Sequence, residues 1–183
     1  MLEGRNVNLR LMEKDDVDFT VQLRNNIDFN AYVSVKQISK TEAMKEFDNP
    51  TPLALITERT CFIIEKKDGA KIGYMVHWIV QPSRHVEIGY FMLPSERGKG
   101  YCSEAVQIMV DYLFLSKDIV RIQAGTDVRN KASQKVLENT GFVKEGIVRK
   151  SAFNKGEWFD GCIYSTLREE WKKPRILSKK LTH

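Results

Sequence analysis

The 183-residue sequence has few cysteines and no long run of apolar residues. Its three cysteines, Cys61, Cys102 and Cys162, are an odd number without the paired spacing of zinc ligands, which excludes a cysteine-rich metal or disulfide scaffold. No apolar stretch approaches the roughly 18 residues of a membrane-spanning helix. We therefore predict reduced thiols, a cytoplasmic location and no bound metal.

The net charge of +5 raises the question of nucleic-acid binding, but the excess lies at one end of the chain. Five basic residues and no acidic residue follow Trp171, namely Lys172, Lys173, Arg175, Lys179 and Lys180. The remainder is formally neutral, so no basic face is predicted for the fold. We predict one domain over residues 1–171 and a basic, flexible tail over residues 172–183, which is a candidate for weak contact with RNA or the ribosome.

The spacing of apolar residues predicts alternating strands and helices. Two-residue alternation predicts strands at Val7–Met12, Thr60–Glu65, Lys71–Val80, Val86–Leu93, Val120–Thr126, Val143–Arg149 and Glu157–Leu167. Helical spacing predicts short helices near Val17 and Met44, with Phe29 and Tyr32 packing against them, a longer helix after Gly100 and a helix capped by Asn130. This order favours the α/β (α+β) class, with helices on the faces of a mixed sheet.

The most informative stretch is Val86–Ala105, VEIGYFMLPSERGKGYCSEA. It predicts a strand that ends at Pro94, a basic glycine turn and the start of an amphipathic helix. Glycine allows the backbone to approach an oxygen closely, and the first N–H groups of a helix have no internal partner. A phosphate or diphosphate is the expected ligand of such a turn.

Two familiar phosphate-binding motifs are excluded. Lys99 is followed by Gly100, so the GxxxxGK[ST] motif with its magnesium-binding hydroxyl is missing. A dinucleotide fingerprint requires Gly or Ala where Ser103 stands, and it belongs to the first strand of a βαβ unit. Another class of phosphate-bearing cofactor is therefore needed.

The residues Ser95-Glu96-Arg97-Gly98-Lys99-Gly100 resemble the acetyl-CoA-binding signature Q/R-x-x-G-x-G/A of the GNAT superfamily of N-acetyltransferases, with Ser95 at the first position. Asn130–Ser133 followed by Gly141-Phe142 is similar to the N-x-x-S…GF element of that family. The closing segment Gly156–Trp171 is similar to the branch that acetylates the N-terminal alanine or serine of ribosomal proteins. The resemblance implies a mixed, mostly antiparallel sheet of about seven strands, helices on both faces, and acetyl-CoA as acyl donor.

The resemblance also implies where the coenzyme binds. Backbone groups near Phe91, Met92 and Leu93 would bind the pantetheine arm in a gap between the strands at Val86–Leu93 and Val120–Thr126, and Asn130 would bind its amide. The diphosphate would lie against Arg97, Gly98, Lys99, Gly100, Tyr101, Cys102 and Ser103.

By the same resemblance, Glu87 is the candidate base, acting through a water beside Gly89, and Ser133 is the candidate donor to the leaving thiolate. Tyr101 and Tyr164 are rival acids, and Cys102 is interpreted as a structural thiol although the helix dipole favours a lower pKa there. An equal alternative to this role as base is that Glu87 lies on the surface of a strand and pairs with Arg84 or Arg121.

The favoured reaction is direct attack of a primary amine on acetyl-CoA in a ternary complex. A protein N-terminal α-amine, with a pKa of about 8, needs less help from a base than a lysine side chain at about 10.4. A polyamine or aminoglycoside is an alternative acceptor, with Asp15, Asp16, Asp18, Glu42 and Glu46 as candidate ligands. A non-catalytic acyl-CoA-binding regulatory domain is a second alternative, and a homodimer is left open.

Overall fold

The computed structural model describes residues 1–26, 32, 37–48, 56–83 and 85–177; Phe29 and Arg84 lie outside the described residues. The strands are β1 (Leu2–Glu3), β2 (Val7–Leu11), β3 (Ile56–Lys66), β4 (Lys71–Val80), β5 (His85–Met92), β6 (Arg121–Asp127), β7 (Val143–Asn154) and β8 (Glu157–Leu167). The α-helices in this part of the chain are α1 (Val17–Asn25), α2 (Lys40–Asp48), α3 (Tyr101–Ser116) and α4 (Lys131–Asn139).

The strands form one eight-stranded sheet in the order β1-β2-β3-β4-β5-β6-β8-β7. Every neighbouring pair is antiparallel except β5 and β6, so the predicted mixed, mostly antiparallel sheet is confirmed. The prediction of about seven strands missed β1, where Leu2 pairs with Leu9 and Glu3 with Asn8. A strand of two residues is too short to show an alternating pattern.

Helices cover both faces of the sheet, as predicted, because side chains alternate along each strand. The larger core lies under α3 and includes Met75 of β4 and Ile108 of the helix. On the opposite face Tyr74, the next residue along β4, packs with Leu23 of α1. The sheet therefore separates an α3–α4 side from an α1–α2 side.

The parallel pair β5 and β6 separates soon after it forms. The two strands pair only at Val86 with Ile122 and at Glu87 with Gln123, although β5 continues to Met92. Beyond Glu87 the strands leave a gap that opens toward the glycine turn before α3. Backbone groups that face such a gap lack the partners that a continuous ladder would supply, so they are open to a ligand.

The C-terminal segment is fastened to α3 by Asp111, whose side chain is buried at 1% exposure. Its carboxylate accepts hydrogen bonds from the Trp171 indole N–H at 2.9 Å and from the backbone N–H groups of Arg175, Ile176 and Leu177 at 2.7 to 3.1 Å. Arg175–Leu177, which belong to the tail predicted to begin at Lys172, are therefore held against α3 by these hydrogen bonds. Residues 178–183, including Lys179 and Lys180, lie outside the described residues.

His77 is a buried histidine on β4, at 1% exposure. Neither ring nitrogen has a hydrogen-bond partner among the residues that the structure describes. The imidazole packs against Phe62 and Tyr112, with ring centroids 6.0 and 6.2 Å away. Burial lowers the pKa of His77 to about 4, and the nearby Lys117 ammonium adds to that effect while Glu58 opposes it.

The protein is expected to lose stability between pH 6.5 and pH 4 because of His77. In the unfolded chain this histidine has a pKa of 6.5 and binds a proton in that range, whereas in the folded chain it does not. The free energy of unfolding therefore decreases as the pH is lowered, by at most about 3 kcal/mol. Urea unfolding at pH 7 and pH 5 measures the loss. His77→Leu is expected to lose less stability than the native protein over that interval, and equal losses would contradict this account.

Candidate active site

The turn between β5 and α3 has the geometry of an anion-binding site. Gly98 and Gly100 have φ angles of 75° and 84°, in the region that favours glycine, and nothing lies within 4 Å of a Cβ built on either residue. Gly100 is the N-cap residue of the 16-residue helix α3, and no side chain caps that end. The first N–H groups of α3 therefore point, with the positive end of the helix dipole, toward open space.

A cavity of about 470 Å³ extends from this turn along the end of β5 to α4. We call it the coenzyme cavity. The predicted cofactor-binding residues that line it are Phe91, Met92, Arg97, Gly98, Gly100, Tyr101, Cys102, Ser103, Asn130 and Ser133. The structure thus brings together residues from two separate parts of the sequence, Phe91–Ser103 and Asn130–Ser133.

Two predicted cofactor-binding residues, Leu93 and Lys99, do not line the coenzyme cavity. The backbone N–H of Leu93 donates to the Ile72 carbonyl at 2.9 Å, and the Leu93 carbonyl accepts from the Glu96 N–H at 3.0 Å, so both backbone groups already have partners within the chain. The Lys99 ammonium is half exposed and lies 3.1 Å from Glu96 Oε2. Within the cavity, Arg97 Nε donates to the Met92 carbonyl at 3.2 Å, so that guanidinium is held against the end of β5.

Asn130 and Ser133 lie together at the start of α4. The Asn130 side chain accepts a hydrogen bond from the Ser133 N–H at 3.1 Å, which confirms the predicted cap. The Ser133 hydroxyl in turn lies 2.8 Å from the hydroxyl of Tyr90 on β5. Burial raises the pKa of Tyr90, so this phenol keeps its proton at neutral pH.

Sequence reasoning missed Tyr90 as a site residue. The signal that would have found it is strand alternation, since Tyr90 shares the α3–α4 face with Val86 and Ile88. The other cavity residues missed are Tyr32, Glu96, Ala132, Lys135, Val136 and Asn139. Lys135 and Asn139 are four residues apart on α4, a helical spacing that was available from sequence. Tyr32, predicted as a helix-packing aromatic, lines the cavity instead.

Glu87 lies on the other face of β5 and does not line the coenzyme cavity. Its carboxylate accepts from Gln123 Nε2 at 2.8 Å and lies 3.4 Å from His85 Nε2, and its side chain is 29% exposed. Arg121 binds Glu145 instead, so the alternative Arg121 partner is wrong.

The space predicted beside Gly89 is occupied in part. A Cβ added at Gly89 would lie 3.6 Å from the Trp78 ring, so the indole covers this glycine. Glu87 itself stands at the last paired position of β5 and β6, where the gap between the strands begins. It is therefore the carboxylate at the closed end of the gap, on the α1–α2 side.

Of two other candidates, Tyr164 lies away from the coenzyme cavity and Cys102 has an unreactive thiol. The Tyr164 hydroxyl donates to Glu138 Oε1 at 3.0 Å and does not line the cavity. Burial raises the pKa of the Cys102 thiol to about 12, and this desolvation outweighs the lowering effect of the Arg97 guanidinium. A thiol that stays protonated is a poor nucleophile, which agrees with a structural Cys102.

These features fit coenzyme A. The cavity has an anion site with two open glycines at one end and a strand gap with available backbone groups at the other, as a diphosphate joined to an amide-rich arm requires. The described residues contain no group of three or more His, Cys, Asp or Glu side chains arranged to hold a metal ion. No helix in the described ranges combines the length and apolar character of a membrane span.

Comparison with known proteins agrees with this class of site. The family model described as "Acetyltransferase (GNAT) domain" matches residues 6–143. The chain is 31% identical over 166 residues to "Uncharacterized N-acetyltransferase p20" of Bacillus licheniformis, covering 89% of this chain and 93% of that protein.

Two similar solved structures hold coenzyme A. The spermidine N-acetyltransferase of Vibrio cholerae in complex with CoA and spermine has a TM-score of 0.81 at 22% identity, covering 92% of this chain and 99% of that one. The ribosomal L7/L12 alpha-N-protein acetyltransferase RimL in complex with coenzyme A has a TM-score of 0.77 at 19% identity, covering 91% of this chain and 97% of that one. At these identities the likeness shows the fold.

The fold and the coenzyme cavity define an acyltransferase that uses coenzyme A. The chain belongs to the GNAT family of acetyltransferases. It is an N-acetyltransferase whose acyl donor is acetyl-CoA.

Proposed function

We propose that this enzyme acetylates the α-amine at the N-terminus of a protein or peptide. Acetyl-CoA, when bound, supplies an acetyl group activated as a thioester. Glu87, whose carboxylate is partly exposed at the closed end of the strand gap, takes a proton from the acceptor ammonium through a water. The neutral amine that results attacks the thioester carbonyl, and the bond between the acetyl group and sulfur breaks. The Ser133 hydroxyl, oriented by the Tyr90 hydroxyl at 2.8 Å, donates a hydrogen bond to the leaving sulfur.

The observation that carries the choice of acceptor is that three of the five candidate carboxylates, those of Asp16, Asp18 and Glu46, are paired with basic side chains. A second cavity, of about 270 Å³, lies there between α1, α2, β3 and β4, and we call it the acceptor cavity. Among its described lining residues Glu46 is the one carboxylate, and it lies 2.9 Å from Arg24. Of the other candidate ligands, Asp16 is bound by Arg10 and Lys71, and Asp18 by Lys40.

A polyamine carries several positive charges, and a site that binds it needs carboxylates without partners. In the acceptor cavity, by contrast, two arginines accompany a single carboxylate that is already paired. An α-amine is the acceptor that needs the least acidic surroundings, since about a tenth of it is already neutral near pH 7.

Release of free thiol from acetyl-CoA, measured across a panel of amines, tests the proposal. Peptides with a free N-terminus are expected to give at least about tenfold higher kcat/KM than spermidine or an aminoglycoside, a difference of about 1.4 kcal/mol. The matched control is the same peptide with its N-terminus blocked, which is expected to give none. Turnover confined to polyamines would overturn the acceptor, and turnover of no amine would favour a non-catalytic domain.

A further inference from the structure

The acceptor cavity adjoins the reaction centre on the α1–α2 side. Tyr74 of β4 lines the acceptor cavity, and Phe91 of β5 lines the coenzyme cavity. The two rings are stacked with centroids 4.7 Å apart, so this pair forms the wall that the cavities share. Much of the remaining lining is apolar, with Met12 and Phe47 among it.

The charge of the acceptor cavity is positive. Arg24 and Arg59 line it, against the single carboxylate of Glu46, which Arg24 binds. No ion pair of Arg59 is found within the part of the chain that the structure describes, and its side chain is exposed. Arg59 is therefore available to a ligand carboxylate, with which a guanidinium forms two parallel hydrogen bonds.

A β-bulge places this arginine. Thr57 pairs with Ile79 and Thr60 with His77, so Glu58 and Arg59 together stand opposite a single residue of β4. Glu58 has a φ of 49°, which is uncommon for a residue other than glycine. The Glu58 carboxylate binds Lys117 at 2.7 Å, just after α3, while Arg59 lines the acceptor cavity. The bulge thus keeps the carboxylate of one residue away from the guanidinium of the next.

The distance from the gap to the acceptor cavity sets which part of an acceptor reaches Arg59. The cavity is built on β3 and β4, about two strand spacings, or roughly 10 Å, from the gap beyond β5. An extended peptide advances about 3.3 Å per residue, so it covers this distance in about three residues.

We infer that the acceptor cavity binds an acidic side chain at about the third residue of the acceptor, with Arg59 as the residue that selects it. The inference rests on the proposed function and names the class of peptide it uses, one that carries Asp or Glu close to its N-terminus. Arg59 acts by binding the substrate, and the group that takes the proton is a separate residue on β5.

The test uses the full-length enzyme and peptides of one sequence that differ at a single position. Glu, Gln or Lys stands at position 3, and a further peptide carries Gln there and Glu at position 8. The glutamate-3 peptide is expected to have a kcat/KM about tenfold or more above that of the lysine-3 peptide. Arg59 attracts the glutamate and repels the lysine, and one such charge pair is enough for this factor. The glutamate-8 peptide is expected to match the glutamine-3 peptide, because its charge lies beyond the cavity.

Variants of Arg59 then assign the preference to this residue. Arg59→Gln is expected to reduce the glutamate-over-lysine ratio to about twofold or less, and Arg59→Glu to reverse it. Arg149→Gln, which changes an exposed arginine on the edge strand β7, is the matched control and is expected to leave the ratio unchanged. Coenzyme A affinity and melting temperature, measured on each variant, report whether the fold is intact.

The outcomes separate this inference from the proposed function. Peptides that are all turned over at similar rates, or a preference that survives Arg59→Gln and Arg59→Glu, would overturn the inference and leave the proposed function standing. Turnover of amines other than peptides, with no peptide used, would overturn both.

Discussion

Replacing Gly100 with valine is expected to weaken coenzyme A binding about 100-fold. Gly100 caps α3 with a φ of 84°, and open space surrounds it on the side where the diphosphate is expected. A valine side chain fills that space and prevents close approach to the first N–H groups of the helix. The loss of two charge-assisted hydrogen bonds, at about 1.5 kcal/mol each, corresponds to this factor. Isothermal titration calorimetry with coenzyme A measures it.

Gly69 provides a matched control for the Gly100 variant. Its φ is 83°, nothing lies within 4 Å of an added Cβ, and it lies in the turn between β3 and β4. Valine at either position strains the backbone by about 1–2 kcal/mol, so both variants are expected to lose similar stability. Gly69→Val is expected to bind coenzyme A as the native protein does. Equal affinities in the two variants would show that the diphosphate lies elsewhere.

Replacing Glu87 with glutamine is expected to lower kcat about 100-fold, the loss typical of removing a general base. Glutamine has nearly the same size, and its amide oxygen still accepts the hydrogen bond from Gln123 Nε2, which is 2.8 Å from Glu87 Oε1 in the native protein. An amide takes no proton from the amine, however. Because Glu87 does not line the coenzyme cavity, the affinity for coenzyme A is expected to stay unchanged. Steady-state thiol release and calorimetry measure the two quantities.

Glu157→Gln is the control for this substitution. Glu157 is an exposed strand glutamate that pairs with Arg129 at 3.0 Å, away from the gap between β5 and β6. It is expected to keep the native kcat. A Glu87→Gln enzyme that retains kcat within about twofold would mean that another group takes the proton, because loss of a base costs far more.

The parts of the fold that were predicted from sequence are those that a local pattern specifies. Alternation located β5, and the Asn130 side chain caps α4 as its position predicted. Gly141, with a φ of 92°, ends α4 as a glycine should, and the Phe142 N–H donates to the Leu137 carbonyl at 3.0 Å. In each case the residue type and its immediate neighbours in the sequence are enough to predict the local structure.

The features that escaped prediction depend on contacts between distant residues or on irregular backbone. The hydrogen bond between Tyr90 and Ser133 joins residues that are 43 positions apart, and no spacing rule relates them. The bulge at Glu58 and Arg59 inserts one residue into an otherwise regular strand, so it has no period to detect. The raised pKa of the Cys102 thiol could not be read from its position in the first turn of α3, because desolvation depends on packing.

The hydrogen bonds from Trp171 and Arg175–Leu177 to Asp111 affect when the enzyme can complete its folding during translation. Translation adds residues from the N-terminus onward. Helix α3, whose first turn is the proposed site of the diphosphate, therefore emerges about 60 residues before the N–H groups that hydrogen-bond the buried carboxylate of Asp111. Until those donors leave the ribosome, that carboxylate must stay hydrated. We expect the nascent chain to acquire coenzyme affinity only after residue 177 has been released.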